Sequence, residues 1–506
     1  MEPADLDLVV LAGALVLLAA VAAVRLSTRA GLPSLLVYLG IGLAIGESGL
    51  GLRFEDAELV QVLGNVALAM ILAEGGFTTR WSTVRPVAPL AAVLATVGVF
   101  LSVAVTSGLA YGVLDVDLRT AIVLGAVASS TDAAAVFAVL RQMAVRGRLR
   151  AVVEVESGFN DPPVIILVTV VTSDAWDETG ALGIAGLIGY QLLAGVVLGA
   201  VVARAGVWLL VRSALPAAGL YPLATVAIAF VAFAVSGLAG ASALMAIYVA
   251  GLVLGNARLP HRGATDSFVE GLAWLAQIGL FIMLGLLASP SRLLEALPTA
   301  LVVGSALTLV ARPLSVLVCA TPFRVPLRDQ AFISWAGLRG AVPIVLATIP
   351  MSVGLPGAER IFDVVFLLVV LFTLIQGPTL PWVARRTGAA LDVGPRDVAI
   401  DAAPLDELDA TLLQFAVPPD SRLAGVEVSE LRFGPEVAVA LVLRQGALFV
   451  PHSATVLRGG DQVLLAAPRD ATARIERRLR QVGREGRLAG WYADLPRRRG
   501  VPPSAG

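Results

Sequence analysis

Three carboxylates, a hydroxyl and an amide crowd the stretch Glu154-Val155-Glu156-Ser157-Gly158-Phe159-Asn160-Asp161-Pro162-Pro163. The apolar run Ile165 to Val171 follows directly. One charged side chain at mid-membrane costs about 2.5–3.5 kcal/mol on insertion scales, so acids beside such a run imply a use. On a helix Ser157 and Asp161, four apart, share a face, and Glu154, seven before Asp161, joins it. Glu156 and Asn160 share a different face. Pro162 and Pro163 carry no amide hydrogen, so in a continuous helix the carbonyls of Gly158 and Phe159 lack their usual partners. A carboxylate, a hydroxyl and free carbonyls are oxygen donors of the kind a hard cation takes. The chemistry this suggests is carriage of an ion or a proton across a membrane, with Asp161 as the carrier.

Composition agrees. The chain has 506 residues, 57% hydrophobic and 15% charged, with a mean hydropathy of +0.85. Soluble domains run about 45–50% apolar and about 25% charged. Several segments exceed about 18 apolar residues, which predicts a polytopic helical membrane protein. The net charge of −1 points to no nucleic-acid partner. Cys319 is the one cysteine, so no intramolecular disulfide and no cysteine metal site can form. Lysine is absent from the sequence, which excludes Schiff-base chemistry, a phosphate-loop lysine and a lysine counter-ion. The reading is a transporter, not an enzyme, with no cofactor. The first apolar run has an acidic flank (Glu2, Asp5, Asp7) and no basic leader, so no cleavable signal peptide is expected.

The elements that must position these residues are thirteen predicted spans: Leu6–Leu26, Leu32–Leu50, Leu59–Phe77, Val87–Val113, Arg119–Leu140, Leu149–Thr172, Ala181–Val211, Tyr221–Val235, Leu238–Gly255, Phe268–Ala288, Leu294–Ala320, Asp329–Ile349 and Ile361–Ala384. Only Ser236-Gly237 divides the eighth from the ninth. Arginines follow alternate spans, from Arg25 and Arg29 to Arg385 and Arg386, and the loops between carry acids such as Asp115, Asp117, Asp174, Asp177 and Glu178. The positive-inside rule then places the N-terminus outside and the C-terminus in the cytoplasm, in a cell (inner) membrane. Two spans are interrupted, the fifth by Ser129-Ser130-Thr131-Asp132 and the twelfth by Gly337-Leu338-Arg339-Gly340-Ala341-Val342-Pro343. Seven spans separate them, so they run in opposite directions. Two inverted six-helix repeats produce that, and broken helices at matching positions mark a mid-membrane ion site.

The composition changes after Arg386. Residues 1–386 form the predicted membrane domain, 387–409 a linker, 410–470 a small α+β cytosolic domain, and 471–506 a basic helix and disordered tail. The domain's strands are predicted at Leu412–Val417, Val437–Leu443, Ala447–Val450 and Gln462–Ala467, and its helix at Asp470–Val482.

Other residues are weighed against ordinary roles. Asp161 at a helix end could snorkel to water, but the two prolines and the apolar run beyond them argue against that. Asp132 could merely cap a kinked helix; beside Thr131 it also reads as a ligand. Glu156 and Arg339 read as a supporting buried pair, because a lone intramembrane arginine needs a partner. Glu74, before Gly75-Gly76, is an interfacial acid or a ligand. Glu154 is nearer the cytoplasmic arginines and reads as a surface or funnel acid. His261 and His452 read as solvated.

Taken together, Asn160-Asp161, Thr131-Asp132 and Gly337-Leu338-Arg339-Gly340 resemble the cation/proton antiporter superfamily, and within it the electroneutral NhaP-type branch, over residues 6–385. The segment after Leu405 resembles the C-terminal half of potassium-channel RCK domains, also called TrkA-C. The combination is similar to potassium/proton antiporters of the CvrA type. The resemblance implies that Asp161 binds the cation and the proton, with Asn160 orienting the crossover. It implies that Thr131, Asp132, Ser157 and Glu74 complete the cation shell, and that Glu156 and Arg339 form an ion pair. A homodimer is implied, as is a nucleotide as one candidate ligand of the tail. The electrogenic branch uses two adjacent aspartates and a membrane lysine; here Asn160 replaces the first and lysine is missing, so electroneutral exchange is expected. K⁺ is preferred to Na⁺ because of the tail. A channel gated by the cytosolic domain, or a non-transporting sensor, are the readings of other classes, and proton coupling separates them from an exchanger.

Overall fold

The computed structural model describes residues 3–30, 33–47, 49, 51, 56–140, 143, 145–173, 176, 180–213, 215–390, 400–405 and 410–486. The chain divides into two units, a helical one ending at Leu391 and a second beginning at Asp392.

The helical unit opens with α1 (Pro3–Ala30), α2 (Ser34–Ile45), α3 (Ala57–Thr78) and α4 (Ala88–Val113). Next come α5 (Leu118–Ser129) and α6 (Ala133–Leu140), then α7 (Gly147–Phe159) and α8 (Asp161–Thr172). They are followed by α9 (Ala181–Arg212), α10 (Leu220–Leu238), α11 (Ala243–Gly255), α12 (Arg262–Leu287) and α13 (Pro290–Ala320). The unit closes with α14 (Leu327–Trp335), α15 (Ala341–Leu346), α16 (Thr348–Ser352) and α17 (Ala358–Thr387). Among the described residues, seven helices are long and apolar enough to cross a membrane. Some turn apolar side chains outward: Leu193, Val197 and Val201 of α9, four residues apart, are 58–70% exposed. Such a stripe suits lipid and not water.

Both predicted interruptions are present, α5 to α6 at Ser130-Thr131-Asp132 and α14 to α15 at Ala336–Gly340. Helices α4 and α13, which also stand seven spans apart, each contain one wide turn, at Leu94–Gly98 and Ala306–Ala311. Each wide turn packs against the helix that carries the other, as an inverted repeat requires.

Two boundaries differ from the sequence reading. The predicted sixth span is not one helix: it bends at Asn160, and Pro162 and Pro163 fall in the first turn of α8, where a missing amide hydrogen costs nothing. The divide between α10 and α11 lies at Ala239–Ser242, because Gly240 takes the left-handed φ of +67° and Ser242 Oγ caps the next helix through Met245 N–H at 3.4 Å.

Helices α3 and α11 touch backbone to backbone. A Cβ on Gly251 or Gly255 would lie 2.5 Å from Ala73 O or 2.0 Å from Phe77 O. This contact seats Tyr248 of α11 edge-on to Phe159, with ring centroids 5.0 Å apart, and over Gly158. At the opposite end of the chain's path, Val145, between α6 and α7, pairs with Ala390 as an antiparallel bridge, and Arg146 N–H donates to Ala389 O at 3.0 Å. The Arg146 guanidinium also binds Asp329.

The second unit is a five-stranded antiparallel sheet in the order β1-β2-β5-β3-β4, made of β1 (Ile400–Leu405), β2 (Ala410–Ala416), β3 (Ala438–Arg444), β4 (Ala447–Phe449) and β5 (Gln462–Pro468). β1 lies inside the stretch read as a linker; its pairing with β2 comes from register and not from apolar alternation. Leu413, Phe415, Val463 and Leu465 face Ile475, Leu479 and Val482 of α18 (Thr472–Glu485) in one core. The predicted tail beyond 486 lies outside the described residues.

Candidate functional site

The two interruptions meet and complete each other. Asp132 N–H donates to Leu338 O at 3.0 Å, and Asp132 Oδ2 accepts Ala341 N–H at 2.7 Å. Each break therefore satisfies backbone groups that the other leaves open, where lipid could not. Gly340 is required at this crossing: a Cβ there would stand 1.9 Å from Asp132 Oδ2.

The bend at Asn160 brings the carboxylate stretch against the same crossing. Asp161, 1% exposed, accepts the Ser130 hydroxyl on Oδ1 at 2.6 Å. Ser157 Oγ lies 3.0 Å from Thr131 Oγ1. Ser157 and Asp161 thus do share a face, and it addresses two consecutive residues of the break. Asn160 Nδ2 donates to Thr131 Oγ1 and, at 3.5 Å, to Glu156 Oε1. Asn160 Oδ1 is buried without a hydrogen-bond partner among the described residues. Hydroxyls, one carboxylate and an unmatched amide oxygen converge on one buried place, a donor set that suits a monovalent cation held without a multivalent cage.

The predicted Glu156–Arg339 pair is not formed. Glu156 instead takes both Nη1 and Nη2 of Arg312, each at 2.8 Å. Arg312 sits inside α13, beside Pro313, and its guanidinium packs on Gly337 of the second break. A fork-to-fork pair fixes two planes at once. Arg339 is also buried, at 1% exposure, and its Nη1 donates to Gln376 Oε1 at 3.3 Å. Thr373 Oγ1 donates to the Arg339 carbonyl at 2.7 Å, so α17 holds this residue by both its side chain and its backbone.

Sequence reasoning missed Ser130, Arg312 and Gln376 as members of this cluster. Ser130 adjoined a chosen residue, and Arg312 interrupts an apolar run much as Arg339 does, so both signals were available. Gln376 carried none. Glu154 is bound by Arg150 Nε at 2.6 Å, one helical turn away. Glu74 is buried on α3, 9% exposed, and its carbonyl accepts from Thr78 Oγ1 at 3.0 Å.

Comparison with known proteins fits this geometry. The family described as sodium/hydrogen exchanger, transmembrane, matches residues 15–386, and the TrkA-C domain matches residues 412–480. The chain is 35% identical over 459 residues to the K(+)/H(+) antiporter NhaP2 of Shewanella oneidensis, covering 89% of this chain and 79% of that protein. It is 36% identical over 473 residues to the K(+)/H(+) antiporter NhaP of Alkalimonas amylolytica, covering 92% and 82%. The fold superimposes on the sodium proton antiporter MjNhaP1 from Methanocaldococcus jannaschii with a TM-score of 0.66 at 20% identity, over 76% of this chain and 99% of that one.

Proposed function

The chain belongs to the sodium/hydrogen exchanger family, and from that membership we propose that it exchanges K⁺ for H⁺ across a cell membrane, one for one, at Asp161. The observation that carries this reading is a buried carboxylate bonded to Ser130 at the crossing of two broken helices, with Asn160 Oδ1 unmatched beside it. A proton and a cation compete for such a group: burial favours its neutral form and a bound cation favours its ionised form.

The charges around the crossing support electroneutrality. Glu156 is matched by Arg312, and Asp132 of the first break and Arg339 of the second are opposite in sign. Only Asp161 then changes the sum. Loaded with a proton or a cation, the cluster is neutral; ionised and unloaded, it carries a net charge that costs several kcal/mol to bring through a low dielectric. Loaded states move and the unloaded state does not, which is obligatory exchange. Alternating access comes from rocking of the bundle that holds both breaks.

K⁺ is favoured by the names of the relatives and by this chain's TrkA-C match over residues 412–480; Na⁺ is the second reading, favoured by the family description. We read the helical stretches as thirteen crossings with the N-terminus outside and the C-terminus cytoplasmic, the protein as a homodimer, and the TrkA-C domain as a regulator that a small cytosolic ligand, a nucleotide among the candidates, would address. The test is proton flux in inverted vesicles with K⁺ and Na⁺ added separately, beside a membrane-potential dye. Cation-driven proton movement without a potential change is expected, and Asp161→Asn abolishes it. Normal exchange by that variant would overturn the site; a cation current without proton coupling would favour the channel.

A further inference from the structure

Helix α17 has 30 residues, about 45 Å at 1.5 Å per residue, so its first turn lies on the membrane face opposite Thr387. A cavity of about 750 Å³ opens there between α13, α17 and the turn after α16. Its charged lining is Arg292, Glu295, Glu359, Arg360 and Asp363, three acids against two arginines. Arg292 Nε donates to Asp363 Oδ2 at 2.9 Å, and Nη1 is 3.7 Å from Glu359 Oε2. Glu47, which accepts from Ser289 Oγ at 2.9 Å, adds a further negative charge near the same guanidinium.

Asp363 is 2% exposed, and its Oδ1 has no hydrogen-bond partner among the described residues. A buried carboxylate with one oxygen unmatched carries a desolvation cost that a single contact does not offset. The contrast with Glu156 is informative. There a fork satisfies both oxygens; here a guanidinium whose side chain is 40% exposed touches only one. Arg292 has a long, partly solvated stem and two other carboxylates within reach, so it can leave Asp363 without disturbing the helices. The unmatched atom accepts only, so an anion does not fit it. Among the described residues no three acids or histidines converge as a metal cage, so a divalent ion does not fit either.

We propose that this cavity is a second cation site, for a monovalent inorganic cation, with Asp363 as the ligand and Arg292 as the resident charge that the arriving ion displaces. Glu359 and Glu47 take the displaced guanidinium. Glu359 in the first turn of α17 offsets the positive end of that helix, which would otherwise repel the ion. The site stands apart from Asp161, and it rests on the exchange reading only for the choice of cation.

The test uses purified full-length protein carrying Asp161→Asn, which removes the carrier. Thermal stability is followed against KCl, with choline chloride at equal ionic strength as the reference. K⁺ is expected to stabilise this background beyond choline, and adding Asp363→Asn is expected to abolish the difference. Arg292→Gln should lower the half-saturating K⁺ several-fold, because the competitor is gone. Glu359→Gln, at an exposed position, should raise it. An unchanged K⁺ response with Asp363→Asn would overturn the site. If that variant does not fold, unchanged half-saturation in both Arg292→Gln and Glu359→Gln overturns it equally. Failure of the exchange reading is distinct: it appears as absent proton flux in wild-type vesicles while the K⁺ stabilisation persists.

Discussion

Glu156 and Arg312 lie 156 residues apart and meet through two parallel hydrogen bonds of 2.8 Å, both side chains out of solvent. The pair joins α7, which leads into Asp161, to α13, which packs on the second break. Removing one member strands a buried charge, at about 3–5 kcal/mol. Glu156→Gln and Arg312→Met should each lower the melting temperature of the purified protein sharply, and the double variant should recover much of the loss. Additive losses in that thermal cycle would mean the two residues do not act as a pair.

Ser130→Ala removes the hydroxyl bonded to Asp161 Oδ1 and leaves the helices untouched. A hydrogen bond to a charged group contributes about 1.5–3 kcal/mol, so the half-saturating cation concentration in vesicle exchange should rise by about tenfold or more. The melting temperature should move little. A variant with wild-type cation dependence would show that Ser130 is a bystander.

Gly340→Ala forces a methyl group toward Asp132 Oδ2 at 1.9 Å. Overpacking of this kind costs about 1–3 kcal/mol, and here it also separates the two breaks. Exchange should be lost, while Gly108→Ala on α4, which meets nothing within 4 Å, should behave as wild type. Adding Asp132→Ala to Gly340→Ala should recover neither stability nor transport, because Cβ of residue 132 still stands 2.9 Å from the new methyl group and the Ala341 N–H loses its acceptor. A Gly340→Ala protein with wild-type melting temperature and exchange would place the clash elsewhere.

Asp461 of the TrkA-C domain is subject to opposing influences. Burial pushes its carboxyl up, but the Arg444 guanidinium, at 2.7 and 2.8 Å, and Arg458 N–H outweigh burial and hold it below the usual carboxylate range. A group depressed in the folded state stabilises above its unfolded value, about pH 4, and that contribution fades as pH falls through the folded value. Amide protection across β3 and β5, with exchange taken relative to the intrinsic rate at each pH, should therefore fall below about pH 4 in wild type. In Asp461→Asn protection should be lower at neutral pH and lack the acid step. An identical pH profile in the two proteins would remove Asp461 from the account.

Much of this site was legible because acids and hydroxyls are rare in apolar runs. Asp161, Asn160, Ser157, Thr131 and Asp132 announce themselves by type, and the two breaks by their position seven spans apart. What a linear pattern cannot carry is partnership. Arg312 and Arg339 are both buried arginines in apolar stretches, and the distance from each to Glu156 is decided by how α13 and the second break pack. The bend at Asn160 was hidden for a related reason: the prolines read as damage to a continuous helix, whereas they open a new one. β1 escaped because residues 400–405 have no apolar alternation, and only pairing with β2 makes them a strand.

The antiparallel stitch between Val145 and Ala390 bears on how the TrkA-C domain can be removed to test for regulation. The last helix does not simply hand the chain to a free tether; its end is sewn to the loop between α6 and α7, and thereby to the segment that leads to Asp161. A truncation placed at Arg386 would take away that seam along with the domain, and any loss of transport would be misread as loss of regulation. A cut after Ala390 keeps the seam, so the two truncations together separate a signal carried by the domain from a mechanical anchor that belongs to the membrane unit itself.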